Sequence, residues 1–303
     1  MKRFRGVFTP IVTPFLEDGA VDEVGLRRNV TRWMTTPLTG LVVLGSNGEA
    51  PQLDDAEADR IIDIVRAGVP VGRPLIGGTG RESTKATIVA TERAAAAGVD
   101  AALVRTPSFF KSQMTTAAFV RHYTAVADAS PIPVLLYNVS MFTGVTLAPD
   151  AVATLASHPN IVGMKDSGSD IGLIAEFIAQ TPDDFVVLAG SAATLFHALA
   201  AGCDGAILAL AALVPGEVVR MQTLVSENRF DEARALQRRL MPLARTIGGL
   251  HGVPGLKAAL ELMEFAAGPP RPPLLPVPPQ IVELLRTQLD SLGMLEKPSE
   301  VRG

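Results

Sequence analysis

Eight short apolar runs recur over the first two thirds of the chain, each followed by a longer stretch with helical spacing. This alternation limits the possible folds more than any other feature. The runs are Val7–Thr13, Gly40–Leu44, Leu75–Gly77, Ala101–Val104, Val134–Tyr137, Ile161–Lys165, Phe185–Ala189 and Gly205–Leu208. Most are continuous rather than alternating, as expected of strands covered on both faces in a parallel sheet. Helix starts are marked by Asp22, by Asp54 with Glu57 three residues on, and by Ser83, all residues that cap orphan N–H groups. Gly98 follows the alanine run Ala94–Ala97 where a helix C-cap is expected. Eight strand–helix units in about 220 residues predict an α/β fold of the (β/α)₈ TIM-barrel type. A doubly wound open sheet has the same periodicity and stays open as the competitor.

Beyond Ser226 the strand signal stops, and residues 226–247, 254–267 and 280–292 read as helices. Between the last two, Gly268–Pro279 is rich in proline, which cannot continue a helix, so a stiff extended connector is expected. The predicted organisation is a barrel with the active site over residues 1–225, then a C-terminal helical extension and tail over 226–303. The charged tail after Leu295 is expected to fray.

Composition narrows the function. Net charge is −4, with the basic residues scattered, so neither nucleic acid nor an anionic membrane is an expected partner. The longest apolar stretch, Gly205 to Pro215, is too short to span a bilayer. No signal-peptide core follows the N-terminus, and the single cysteine, Cys203, permits no internal disulfide. A cytoplasmic location is expected. Two sequons, Asn29-Val30-Thr31 and Asn138-Val139-Ser140, then read as coincidences.

Barrel enzymes place their chemistry at the C-terminal ends of strands. Lys165 closes the run Ile161-Val162-Gly163-Met164. An amine there loses hydration, which favours the neutral nucleophile that attacks carbonyl carbon. The competing reading is a structural lysine that reaches solvent or pairs with Asp166. Tyr137 closes another run and is suited to passing protons, or else only hydrogen-bonds at the rim. The turn Gly45-Ser46-Asn47-Gly48-Glu49 presents backbone N–H groups and two polar side chains suited to a carboxylate; a plain strand-to-helix turn has the same spacing. Gly77-Gly78-Thr79-Gly80 lacks the lysine and spacing of a phosphate loop and reads as a turn lining the pocket. The four histidines lie singly, no GxSxG occurs, and Cys203 reads as a small buried hydrophobe. Lysine-centred carbonyl chemistry needing no cofactor and no metal is what remains.

Together these segments resemble the dihydrodipicolinate synthase/N-acetylneuraminate lyase family of class I aldolases, from Val7-Phe8-Thr9-Pro10 to about Leu274. The marks are Gly45–Glu49, Tyr137-Asn138-Val139, Thr143-Gly144, Val162–Asp166 and Val187-Leu188-Ala189-Gly190. Several segments look closest to the 4-hydroxy-2-oxoglutarate aldolase branch, among them Glu82-Ser83-Thr84, His158 to Gly168 and Val253-Pro254-Gly255-Leu256-Lys257. The resemblance implies that Lys165 forms a Schiff base with pyruvate, that Tyr137 shuttles protons beside it, and that Ser46 belongs to the relay. It places Ser46, Asn47 and Gly48 at the pyruvate carboxylate, Ser167 and Gly190 along the pocket, and Ile207 against the bound pyruvate. It also implies a homotetramer, a dimer of dimers.

Two positions depart from the family. Dihydrodipicolinate synthases carry an arginine for the aspartate semialdehyde carboxylate where this chain has Phe142, whose ring offers no bidentate clamp. The family's interface tyrosine corresponds to Phe110, which has no hydroxyl to extend the relay. The expected activity is therefore an aldolase (lyase) that cleaves a 4-hydroxy-2-oxo acid, such as 4-hydroxy-2-oxoglutarate or a 2-keto-3-deoxy sugar acid, to pyruvate and an aldehyde. The alternatives are dihydrodipicolinate synthase, which condenses pyruvate with aspartate semialdehyde, and a catalytically weak keto-acid-binding member of the family.

Overall fold

The computed structural model describes residues 4–295; the tail expected to fray after Leu295 lies outside them. Strands β1 (Gly6–Pro10), β2 (Gly40–Val43), β3 (Leu75–Gly78), β4 (Ala101–Arg105), β5 (Val134–Asn138), β6 (Ile161–Asp166), β7 (Val186–Ala189) and β8 (Gly205–Ile207) pair in chain order. All neighbours are parallel, and Gly6, Val7 and Phe8 of β1 pair with Gly205, Ala206 and Ile207 of β8. The sheet is therefore a closed barrel, which leaves no unpaired edge and excludes the open doubly wound sheet. Each expected run falls on a strand. The first is the least accurate: β1 ends at Pro10, Ile11 N–H still donates to Val42 O at 3.0 Å, and Phe15 then forms an antiparallel bridge with Val21.

The local helix signals act as their chemistry requires. Asp22 accepts from the Gly25 N–H, Ser83 from that of Ala86, and Asp54 and Glu57 cap each other reciprocally. Gly98, at φ +86°, takes the left-handed turn after the helix Thr84–Ala96.

Period-two alternation splits the apolar residues into two cores. Phe8, Val42, Ile76, Leu103, Leu135, Leu188 and Ile207 fill the barrel interior. Val43, Leu75, Val104, Leu136, Met164 and Val187 face the helices. The register between β5 and β6 slips by one residue: Val134 pairs with Ile161, but Leu135 pairs with Gly163. The extra residue, Val162, is a bulge, and it sets which side chains of upper β6 point inward.

The C-terminal helices are Phe230–Arg245, Gly252–Leu262 and Pro279–Ser291. The second is shorter than the expected 254–267. Glu261 Oε1 accepts from the N–H groups of Ala267 and Gly268, and Phe265 stacks on Trp33 with ring centroids 5.1 Å apart. Those contacts need a bent chain. The proline-rich connector is tied back to the barrel by Arg271, which binds Glu57 through both terminal nitrogens at 2.8 and 2.7 Å. The sequon residues Asn29 and Asn138 are both buried. Asn29 bonds the backbone of Ala266, and Asn138 bonds Asp166 and Leu147. No helix among the described residues is long and apolar enough to cross a membrane.

Candidate active site

The C-terminal ends of the strands open into a cavity of about 850 Å³. Eight of the nine expected site residues line it: Ser46, Asn47, Tyr137, Phe142, Lys165, Ser167, Gly190 and Ile207. Gly48 is the exception and corrects the sequence reading. Its N–H donates to Gly45 O at 3.0 Å, closing the 3₁₀ turn Ser46–Gly48, and its carbonyl accepts from Thr13 Oγ1 at 2.7 Å. Its N–H is spent on the turn and its carbonyl on Thr13. The turn Gly77–Gly80 also lies away from the main cavity. Gly78 and Gly80 instead line a small neighbouring cavity of about 70 Å³ that shares Ser46 and Tyr137 as its wall. A Cβ on Gly78 would lie 2.0 Å from Leu44 O, so this crossing admits only glycine.

Strand register brings Lys165 and Tyr137 together. They are paired neighbours on β6 and β5, and side chains at paired positions of a parallel sheet share a face. The Lys165 Nζ sits 4.3 Å from the centre of the Tyr137 ring. Both residues are buried. Tyr137 Oη lies 3.3 Å from Ser46 Oγ, where either hydroxyl can donate. Burial, the largest influence on the phenol, opposes its ionisation. The charge of Lys165 and hydrogen bonds from Ser46, Ser167 and Lys165 jointly outweigh it and hold Tyr137 below the ordinary phenol range. A phenol in that setting releases and recovers a proton readily.

The reading in which Lys165 pairs with Asp166 meets a geometric obstacle. Asp166 is the next residue on the strand and accepts from Asn138 Nδ2 at 2.6 Å and from the Gly168 N–H at 3.0 Å. Asn138 Oδ1 in turn accepts from the Leu147 N–H. This buried network stiffens the rim from which Tyr137 and Lys165 project. Gly190 permits a close crossing of its own: its N–H donates to Asp166 O at 2.6 Å, and a Cβ there would lie 2.3 Å from Ser167 Oγ.

The polar turn is held from behind. Glu49 takes the left-handed conformation, φ +55° and ψ +33°, which a side chain tolerates only under constraint. Lys257 Nζ approaches Glu49 Oε1 to 2.6 Å, both side chains being no more than 1% exposed. The Arg271 N–H donates to Glu49 Oε2 at 2.8 Å. The C-terminal extension therefore anchors the loop that carries Ser46 and Asn47.

Sequence reasoning missed part of the cavity wall. Arg245, at the end of the helix Phe230–Arg245, lines the mouth, as do Gly248, Gly249 and Leu250 of the π-helical turn Thr246–Leu250. The sequence offered only a cation near a helix C-terminus, a common way to balance the helix dipole. Phe109 and Phe110 stand outside the main cavity, 79% and 68% exposed. Away from the cavity, the Tyr123 hydroxyl of the helix Thr116–Ala129 donates to Val104 O at 3.1 Å, and burial pushes the Cys203 thiol up to about 12.

Comparison with known proteins agrees with this architecture. The model of the dihydrodipicolinate synthetase family matches residues 3–291. A 4-hydroxy-tetrahydrodipicolinate synthase of an Exiguobacterium species is 37% identical over 90% of this chain and 93% of its own length. That of Methanopyrus kandleri is 35% identical over 97% and 98%. Among solved structures, dihydrodipicolinate synthase of Thermotoga maritima superposes with a TM-score of 0.92 at 31% identity, over 97% of this chain and 100% of that one. A monomeric dihydrodipicolinate synthase variant gives 0.92 at 31%, over 97% and 98%. These relatives bear the synthase name and not that of the 4-hydroxy-2-oxoglutarate aldolase branch.

Proposed function

We propose that this chain, which belongs to the dihydrodipicolinate synthetase family, binds pyruvate as a Schiff base on Lys165 and makes or breaks a carbon–carbon bond at its methyl carbon. One observation carries the reading: a buried lysine amine stands over a buried tyrosine whose hydroxyl meets Ser46, all on the floor of one cavity.

The chemistry follows from that arrangement. Ser46 and Asn47 hold the keto-acid carboxylate. The Lys165 amine, once it has given up its proton, adds to the ketone carbon, and the carbinolamine loses water to give an iminium. Tyr137, with Ser46 behind it, supplies and recovers the protons. In the cleavage direction Tyr137 takes the proton of the C4 hydroxyl, and the C3–C4 electron pair flows into the iminium, so the aldehyde leaves and an enamine remains. Protonation at C3 and hydrolysis then release pyruvate and free Lys165. Condensation runs the same steps backwards, with the enamine carbon adding to an aldehyde.

Two readings differ in the aldehyde. The names of the relatives favour condensation of pyruvate with aspartate semialdehyde. Phe142 favours cleavage of a 4-hydroxy-2-oxo acid, since the cavity offers an apolar ring where those synthases place an arginine. Assembly as a dimer of dimers belongs to the same proposal, supported by the exposed rings of Phe109 and Phe110, and sedimentation tests it.

Borohydride reduction in the presence of pyruvate, followed by peptide mass mapping, tests the shared step. Label on Lys165, absent in Lys165→Ala, is the expected result; label elsewhere or none refutes it. Initial rates with pyruvate plus aspartate semialdehyde, against 4-hydroxy-2-oxoglutarate and 2-keto-3-deoxy sugar acids, then choose between the two readings.

A further inference from the structure

We propose that Arg245 binds the anionic far end of the substrate, so that the cavity selects keto acids carrying a second carboxylate. This inference rests on the Schiff-base reading of Lys165. The cavity lining contains two cations, Lys165 and Arg245, and no carboxylate. Lys165 is buried on the floor and Arg245 is exposed at the mouth. A substrate whose keto carbon is at Lys165 therefore extends toward a guanidinium, between walls that include Val139, Phe142 and Leu210.

Three further features support the assignment. No described residue gives the Arg245 guanidinium an ion-pair or hydrogen-bond partner, whereas Arg234 and Arg239 of the same helix are each paired with a carboxylate, and Arg238, also unpaired, lies off the cavity. Its donors are thus available for bidentate binding of a carboxylate. The π-helical turn that follows places Gly248 and Gly249 beside it, where an added Cβ would meet nothing within 4 Å. The mouth next to Arg245 is open. Finally, the synthases place their distal-carboxylate arginine on the loop after β5, and this chain has Phe142 there. Relocating the cation to the C-terminal helix would preserve recognition of a distal anion. Aspartate semialdehyde and 4-hydroxy-2-oxoglutarate both carry such a group; a 2-keto-3-deoxy sugar acid ends in a neutral polyol and does not.

Imine trapping isolates this binding from turnover. Borohydride delivers hydride to the iminium carbon and converts it to a stable secondary amine, so the half-saturating concentration of each keto acid can be read from Lys165 labelling. The probes are 2-oxoglutarate and 2-oxoadipate against 2-oxopentanoate and 2-oxohexanoate, which match them in length without the second charge. In Arg245→Leu the preference for diacid over monoacid should fall about five- to tenfold, as for loss of a charge-assisted bond at a partly solvated site. Arg245→Lys should retain most of the preference, and pyruvate trapping should be unchanged in both variants. An unaltered preference in Arg245→Leu, or diacids that fail to label while pyruvate labels, overturns the inference and leaves Lys165 chemistry standing. No labelling by pyruvate in the parent enzyme refutes the Schiff-base reading and this inference with it.

Discussion

Replacing Lys257 by methionine should damage stability and keto-acid binding together. Lys257 and Glu49 form an ion pair with both side chains out of solvent, and Lys257 Nζ also donates to Pro269 O at 2.9 Å and lies 4.3 Å from the centre of the Phe15 ring. Methionine matches the stem but leaves the Glu49 carboxylate buried without its cation. Breaking one side of a buried pair typically costs about 3–5 kcal/mol. For a chain of 303 residues the unfolding entropy is about 0.6 kcal/mol per degree, so the melting temperature should fall by roughly 5–8 °C. Glu49 is held left-handed at the end of the Ser46–Asn47 turn, so its release should also raise the half-saturating pyruvate concentration in borohydride trapping. Adding Glu49→Gln to the variant removes the stranded charge and should recover about half of the lost stability. Differential scanning calorimetry and the trapping titration provide the measurements. A melting temperature within about 2 °C of the parent, with unchanged pyruvate saturation, would refute the reasoning that this pair holds the carboxylate-binding turn.

Three other outcomes follow from the geometry. Tyr137→Phe should fold normally but lose on the order of 10²–10⁴ in kcat, with KM much less affected, in steady-state assays on whichever substrate the panel selects. Asn138→Leu removes the donor to Asp166 and the acceptor for the Leu147 N–H; urea denaturation should show a loss of about 2–4 kcal/mol from two abandoned buried groups. His122 is buried, and desolvation, only partly offset by the charge of Glu82, lowers its pKa from 6.5 to about 4. Between those values the unfolded chain binds the proton and the folded one does not, so stability falls as pH drops from about 6.5 toward 4. The loss attributable to this group is up to about 3 kcal/mol, and His122→Gln should lose correspondingly less between pH 7 and pH 4.5 in urea titrations.

Much of the fold was readable because its signals are local. Every strand run is a short apolar stretch, and the caps at Asp22, Asp54 and Ser83 satisfy N–H groups within three residues of themselves. The kinds of residue at the site were readable for the same reason: a lysine, a tyrosine and a polar turn each end a strand, and strand ends share one rim in a barrel. Gly48 was misjudged because only the folded turn shows that its N–H goes to Gly45. Arg245 was missed because it lies 80 residues beyond Lys165 on a helix whose sequence speaks only of its own dipole.

Sequence alone thus determined the eight strands, the closed-barrel expectation over its open-sheet competitor and the side chains able to carry carbonyl chemistry. The facing of Lys165 was decided by tertiary structure. Successive residues of a strand point to opposite faces, and the extra residue Val162 in β6 reverses the parity between Ile161 and Lys165. Without that bulge the amine would lie among the helices, away from Tyr137. Such a slip depends on pairing with β5, so it is fixed only when the neighbouring strand is in place.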